Sequence, residues 1–103
     1  RGILSTIYIK GKKEDIEKVL KSKYNKERFV LVNKTGDLPK ISDVTGTNNC
    51  RIGLLAYNKG NYVVLVSVID NLMKGAAGQA VQNMNIVLNY AEDLGLDQQS
   101  FWP

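Results

Sequence analysis

The chain has 103 residues, 44% of them hydrophobic, a formal net charge of +4 and no His. That length gives one domain with a modest core, and the hydrophobic share is ordinary for a globular protein, with no sign of disorder. The longest apolar run, Tyr62 to Ile69, interrupted by Ser67, falls well short of the ~20 residues of a membrane helix, and the lack of His removes the commonest general base near neutral pH.

The first predicted element is a strand over Ile3 to Ile9, a β-branched and aromatic run that ends at Lys10-Gly11-Lys12-Lys13. A helix follows from about Glu14 to Tyr24, with Ile16, Val19, Leu20 and Tyr24 at helical spacing. The positive charge is concentrated here: seven Lys and Arg28 stand against Glu14, Asp15, Glu17 and Glu27. With no aromatic residues interleaved as stacking platforms, the cluster reads as a solvated helix face and not as a nucleic-acid surface. Glu17 and Lys21 are spaced for an i,i+4 pair.

Phe29 to Val32 reads as a short strand, followed by a long irregular stretch from Asn33 to Asn49 that contains Pro39. Loops of that length are often functional or cover a neighbouring domain. Arg51 to Tyr57 and Tyr62 to Ile69 read as strands joined by a hairpin turn at Asn58-Lys59-Gly60-Asn61. Tyr62 to Ile69 is apolar on both faces and is expected at the centre of its sheet, with one face needing cover beyond its own helices. The last helix is expected over Met73 to Asn89, with Ala77, Ala80, Val81, Met84 and Leu88 along one apolar stripe. Glu92 and Asp93 read as solvated. The sum is an α+β fold, a β-sheet with helices packed on one face.

Chemistry-bearing patterns are few. Cys50 has no His and no second Cys beside it, so it forms neither a thiolate dyad nor a zinc site and reads as a buried free thiol. No P-loop pattern occurs. A single Cys without a disulfide framework fits a reducing, cytoplasmic compartment. The opening at Arg1, without Met, basic leader or signal-like stretch, suggests a piece of something longer.

One segment stands out: Asp70-Asn71-Leu72-Met73-Lys74-Gly75-Ala76-Ala77-Gly78-Gln79-Ala80-Val81-Gln82-Asn83-Met84-Asn85. It runs from the end of a buried strand through a polar turn into a helix whose first turn is almost bare of side chains. A helix N-terminus presents unpaired N–H groups and a partial positive charge, and small residues there admit a ligand or another backbone closely. A polar ligand and tight helix–sheet packing suit it equally.

This run closely resembles the C-terminal signature of the N-acetyl-gamma-glutamyl-phosphate reductase family, which makes N-acetylglutamate semialdehyde in arginine biosynthesis with NADP as cofactor. Arg1-Gly2-Ile3-Leu4 with Thr6-Ile7-Tyr8, Asn49-Cys50-Arg51-Ile52-Gly53, and Asn89-Tyr90-Ala91-Glu92 match in the same order. The Arg-Gly-Ile opening and the Gln-Asn-Met-Asn continuation favour this family over the aspartate-semialdehyde dehydrogenases, which share a looser Gly-Ala-Ala helix start. The resemblance implies a mixed sheet like the C-terminal domain of glyceraldehyde-3-phosphate dehydrogenase, truncated at its N-terminus. It implies that residues 1–103 are the C-terminal part of a catalytic and dimerisation domain, with the Rossmann NADP-binding domain outside the chain.

In that family a Cys in an Asn-Pro-Gly-Cys context attacks the acyl phosphate, a His assists, and NADPH delivers hydride. Neither motif occurs here, and Cys50 matches a different family position, so no catalytic residue is expected in this chain and the chain alone is expected to be inactive. The resemblance assigns Asn71 to the nicotinamide end of the cofactor, with Lys74, Gly75 and Ala76 beside it. The alternative reading of Asn71 is a helix cap. Arg1 is placed on the substrate side. Homodimers or homotetramers are implied; a non-catalytic oligomerisation or binding module is the reading from a different class. Neither metal, membrane nor nucleic acid is expected as a partner.

Overall fold

The computed structural model describes residues 1–57 and 61–101. The chain runs β1 (Ile3–Lys10), α1 (Lys13–Tyr24), β2 (Val30–Val32), a 3-10 turn (Ile41–Asp43), β3 (Cys50–Tyr57), β4 (Tyr62–Ile69), a π-helical turn (Met73–Ala77) and α2 (Gly78–Val87). The hairpin turn expected between the last two strands lies, apart from Asn61, outside the described residues.

The four strands form one mixed sheet in the order β1-β4-β3-β2. β4 is antiparallel to both neighbours, and β2 runs parallel to β3. The central position of β4 follows from its sequence, because a strand that carries apolar residues on both faces, interrupted only by Ser67, needs cover on both. Val64, Val66 and Val68 point to one face and pack with Val44 and Ile41. Val63 and Leu65 point to the other, where Leu54 joins them under Ile9, Ile16, Leu20 and Ile52. Each buried Val or Leu contributes about 1.5–3 kcal/mol, so β4 anchors both halves of the core.

The two faces are covered differently. α1 covers the second face through Ile16 and Leu20, and its Glu17–Lys21 pair forms at 2.6 Å, as the spacing suggested. Val19, expected on the same stripe, is instead exposed, because the helix lies on the sheet along its Ile16–Leu20 side. The first face is covered by the irregular stretch after β2. Its backbone continues alongside β3, with the Asn33 and Gly36 N–H groups donating to Ile52 and Leu54 carbonyls. At Gly53 it crosses so closely that a Cβ there would stand 2.5 Å from Pro39 Cδ. Residues 44–48 that follow are all buried.

α2 departs from expectation in its sidedness. Its buried positions are Gly78, Gln82 and Asn85, whereas Ala77, Ala80, Met84 and Leu88 of the expected apolar stripe are exposed. The physical reason is its seat. It packs beyond the end of the sheet against the buried loop at Asn48 and the C-terminal tail, which present polar atoms to it. The helix also starts as a π turn, and Asn89 has left the helix at φ 56°.

Candidate site at the end of β4

Asp70 follows β4 directly and organises the site. Its carboxylate is fully buried and accepts four donors. Oδ2 takes the Gly46 N–H at 2.7 Å and the Arg1 guanidinium at 2.8 Å. Oδ1 takes the Leu72 and Met73 N–H groups at 2.8 and 3.2 Å. Burial by itself would push this carboxyl up, but the donors from Gly46, Arg1, Leu72 and Met73 outweigh it and hold the group at about 2. One ionised side chain thereby joins the start of β1, the loop over the first sheet face, and the helix entry.

The capping role considered for Asn71 therefore belongs to Asp70, whose oxygen receives the N–H groups two and three residues on. Asn71 does something else. Its Oδ1 accepts the Gly2 N–H at 2.7 Å, a second bond between the same two chain segments. Its Nδ2 has no acceptor among the described residues, which leaves one amide donor unused at the clasp.

The helix entry is also not an empty anion hole. Asp70 occupies its Leu72 and Met73 N–H groups, and the Gly75 and Ala77 N–H groups donate to the Asp70 and Leu72 carbonyls at 3.0 and 3.1 Å. What the small residues leave is room. Gly75 and Ala76 are exposed, and a Cβ on Gly75 would meet nothing nearer than 3.5 Å.

Lys74 points elsewhere. Its Nζ donates to Gln82 Oε1 at 2.6 Å and lies 5.4 Å from the centroid of the buried Phe29 ring. Burial lowers its pKa, against the opposing pull of neighbours that include Glu92 and Glu27. Gln82 Oε1 also receives Asn48 Nδ2 at 2.9 Å, and Gln82 Nε2 donates to Glu92 Oε1 at 2.7 Å. Glu92, expected to be solvated, is thus part of an internal network. Asp93 does pair at the surface, with Arg28 at 3.2 Å. Cys50 is half-buried, with Sγ 3.5 Å from Ser67 Oγ.

Of the residues singled out in the sequence, Arg1 and Asn71 are brought together through Asp70 and Gly2, with Gly75 and Ala76 on the next turn. Arg1 also lines a cavity of about 690 Å³ with Lys40, Ile41, Ser42, Thr45 and Phe101. Sequence reasoning missed Asp70, Gln82 and Asn48. The Asp-Asn pair just before the helix and the small or polar residues at 78, 82 and 85 were the available signals. Among the described residues no cluster of His, Cys, Asp and Glu could hold a metal, and no helix is long and apolar enough to cross a membrane. The arrangement offers amide and guanidinium donors and an open, side-chain-poor turn, which suits binding.

A family model described as semialdehyde dehydrogenase, dimerisation domain, matches residues 1–71. Among curated relatives, the N-acetyl-gamma-glutamyl-phosphate reductase of Alkaliphilus metalliredigens is 51% identical over 107 aligned positions, covering all of this chain and 31% of the relative. Proteins of the same name from Listeria welshimeri and Staphylococcus saprophyticus are 50% and 44% identical, over 93% and 100% of this chain and 29% and 31% of theirs. The chain spans about three-tenths of the length of these relatives, and their names agree with the resemblance carried by residues 70–85.

Proposed function

The chain belongs to the semialdehyde dehydrogenase dimerisation-domain family, and from that premise we propose that it is the C-terminal portion of the catalytic and dimerisation domain of an N-acetyl-gamma-glutamyl-phosphate reductase. The parent would use NADPH to reduce N-acetyl-glutamyl phosphate to N-acetylglutamate semialdehyde, with its nucleophilic Cys, assisting His and Rossmann domain encoded outside residues 1–103. When bound, the nicotinamide would supply the hydride for that reduction.

This chain's own part is to bind and orient. The observation that carries the reading is the double clasp of Asp70 and Asn71 on Arg1 and Gly2. It leaves the Asn71 Nδ2 donor free beside the open Gly75-Ala76 turn, and a nicotinamide carboxamide carbonyl is a matching acceptor. Gly75 and Ala76 put no side chain beyond Cβ in its way, so the residues present fit the group. Lys74, whose ammonium donates to Gln82 Oε1, supports the turn from behind in this arrangement. Arg1, fixed by Asp70 at the rim of a cavity that also holds Lys40, Ser42 and Thr45, fits an anionic group of the substrate.

The exposed part of the first sheet face supports assembly into a homodimer or homotetramer. Leu4, Tyr8, Leu55, Tyr57 and Tyr62 share that face by register and are between 42% and 66% exposed. Such a contiguous apolar patch is characteristic of an interaction surface.

The test of the cofactor reading is Asn71→Ala in the full-length enzyme. The Michaelis constant for NADPH rises about tenfold, the size of one lost hydrogen bond at a desolvated contact, if Asn71 binds the carboxamide. An unchanged Michaelis constant and unchanged turnover would leave Asn71 with a purely structural role.

A further inference from the structure

Residues 73–77 form a π-helical turn, an arrangement that is rare in helices and tends to persist where surrounding contacts enforce it. Asp70 fixes its N-terminal end through the Leu72 and Met73 N–H groups. A second grip comes from within the same helix. Gln82 is 8% exposed, and its side-chain amide makes three hydrogen bonds. Its Oε1 receives Lys74 Nζ at 2.6 Å and Asn48 Nδ2 at 2.9 Å, and its Nε2 donates to Glu92 Oε1 at 2.7 Å. Two donors on one end and a carboxylate on the other fix the amide in a single orientation.

Asn48 belongs to the buried loop and Glu92 to the tail, so Gln82 is anchored on both sides before it takes the lysine. Lys74 lies inside the π turn, and its ammonium is held eight residues along the helix. The Phe29 ring lies beneath it at 5.4 Å. Were the turn to relax to α-helix, every residue before it would rotate by about 100° relative to α2, one residue's worth of helical twist. Asn71 and Gly75 would then face a different direction.

We infer that Gln82 is a positioning residue for the dinucleotide: through Lys74 it holds the π turn in the register that presents Asn71 and the Gly75-Ala76 backbone. This rests on the cofactor reading above. Gln82 itself touches no cofactor.

The experiment uses the full-length enzyme and NADPH as the probe, with NADPH affinity read by fluorescence, steady-state kinetics and Tm for Gln82→Met, Lys74→Met, Lys74→Arg and Asn71→Ala. Gln82→Met and Lys74→Met are each expected to raise the NADPH dissociation constant about tenfold, as for a lost charge-assisted hydrogen bond. Their double variant is expected to lose no more than Gln82→Met alone, since that change has already removed the contact with Lys74. Lys74→Arg keeps a donor for Gln82 Oε1 and is expected to restore affinity. If both Met variants lower Tm but bind NADPH as the wild type does, while Asn71→Ala binds it weakly, the positioning role fails and the cofactor reading stands. If Asn71→Ala also binds normally, both fail. Should Gln82→Met not fold, Lys74→Met and its Arg counterpart, on a half-buried side chain, decide the matter alone.

Discussion

Asn71 Oδ1 accepts the Gly2 N–H at 2.7 Å across 69 positions of sequence. With the Arg1–Asp70 ion pair beside it, this bond fastens the start of the first strand to the exit of the central one. The edge of the sheet and the helix entry are thus fastened to each other, and anything bound at the Asn71 turn is referenced to β1.

Asp70 is the member of that clasp whose loss should be felt most in stability. Asp70→Asn replaces an acceptor of four donors by an amide that can accept at only one end. The variant is expected to be destabilised by about 3 kcal/mol, as for a broken buried charged network. The pH dependence has a definite sign. The carboxyl is held at about 2 in the fold against an ordinary 3.8, so between these values the unfolded chain binds more protons than the folded one. The stabilisation is fully present above pH 3.8 and is lost as the pH falls toward 2. Denaturant unfolding of the full-length protein at pH 7 and near pH 2 checks this: the gap between wild type and Asp70→Asn should narrow at the lower pH. An equal gap at both would contradict it.

Two glycines three positions apart, Gly75 and Gly78, should behave differently on substitution. A Cβ on Gly78 would stand 2.3 Å from Asn48 Oδ1 and 2.9 Å from the Met73 carbonyl oxygen. Gly78→Ala is therefore expected to destabilise by about 1–3 kcal/mol from overpacking, despite the ~1 kcal/mol that Ala gains as a helix former. Gly75→Ala meets nothing closer than 3.5 Å and should leave Tm nearly unchanged. If the turn approaches the nicotinamide, the same substitution raises the Michaelis constant for NADPH. Thermal melts and steady-state kinetics on the two variants separate these effects.

The apolar face of β1, β3 and β4 makes a further prediction about assembly. Tyr8 and Tyr62 are 66% and 44% exposed, so a charge at either is harmless to the isolated fold and costly only within an interface. Tyr8→Glu with Tyr62→Glu should shift full-length protein to smaller species in light-scattering chromatography without a comparable drop in Tm. An unchanged mass would place the subunit contact elsewhere.

Much of the fold was legible because its signals were apolar and periodic. The run from Tyr62 to Ile69 announced a central strand, and Ile16 with Leu20 announced the helix that covers it. What escaped was polar. Gln82 and Asn85 are buried, yet such residues ordinarily mark a solvent face, so the sidedness of α2 was read inverted. The loop at residues 44–48 is buried without any repeat that could reveal it. At the candidate site the segment was identifiable, but Asp70 and Asn71 are both capable caps, and only three-dimensional distance decides between them. The grip of Gln82 on Lys74 spans eight residues, beyond the i,i+4 neighbours that helix rules address.

The most direct measurement is a structure of the full-length protein with NADP+ bound. The nicotinamide carboxamide oxygen should lie about 3 Å from Asn71 Nδ2, a hydrogen-bond distance, while Asn71 Oδ1 keeps the Gly2 N–H and the Lys74–Gln82 contact persists. A nicotinamide ring bound away from the 71–76 turn, with Asn71 Nδ2 facing solvent or protein, would contradict the assignment of this segment to the cofactor.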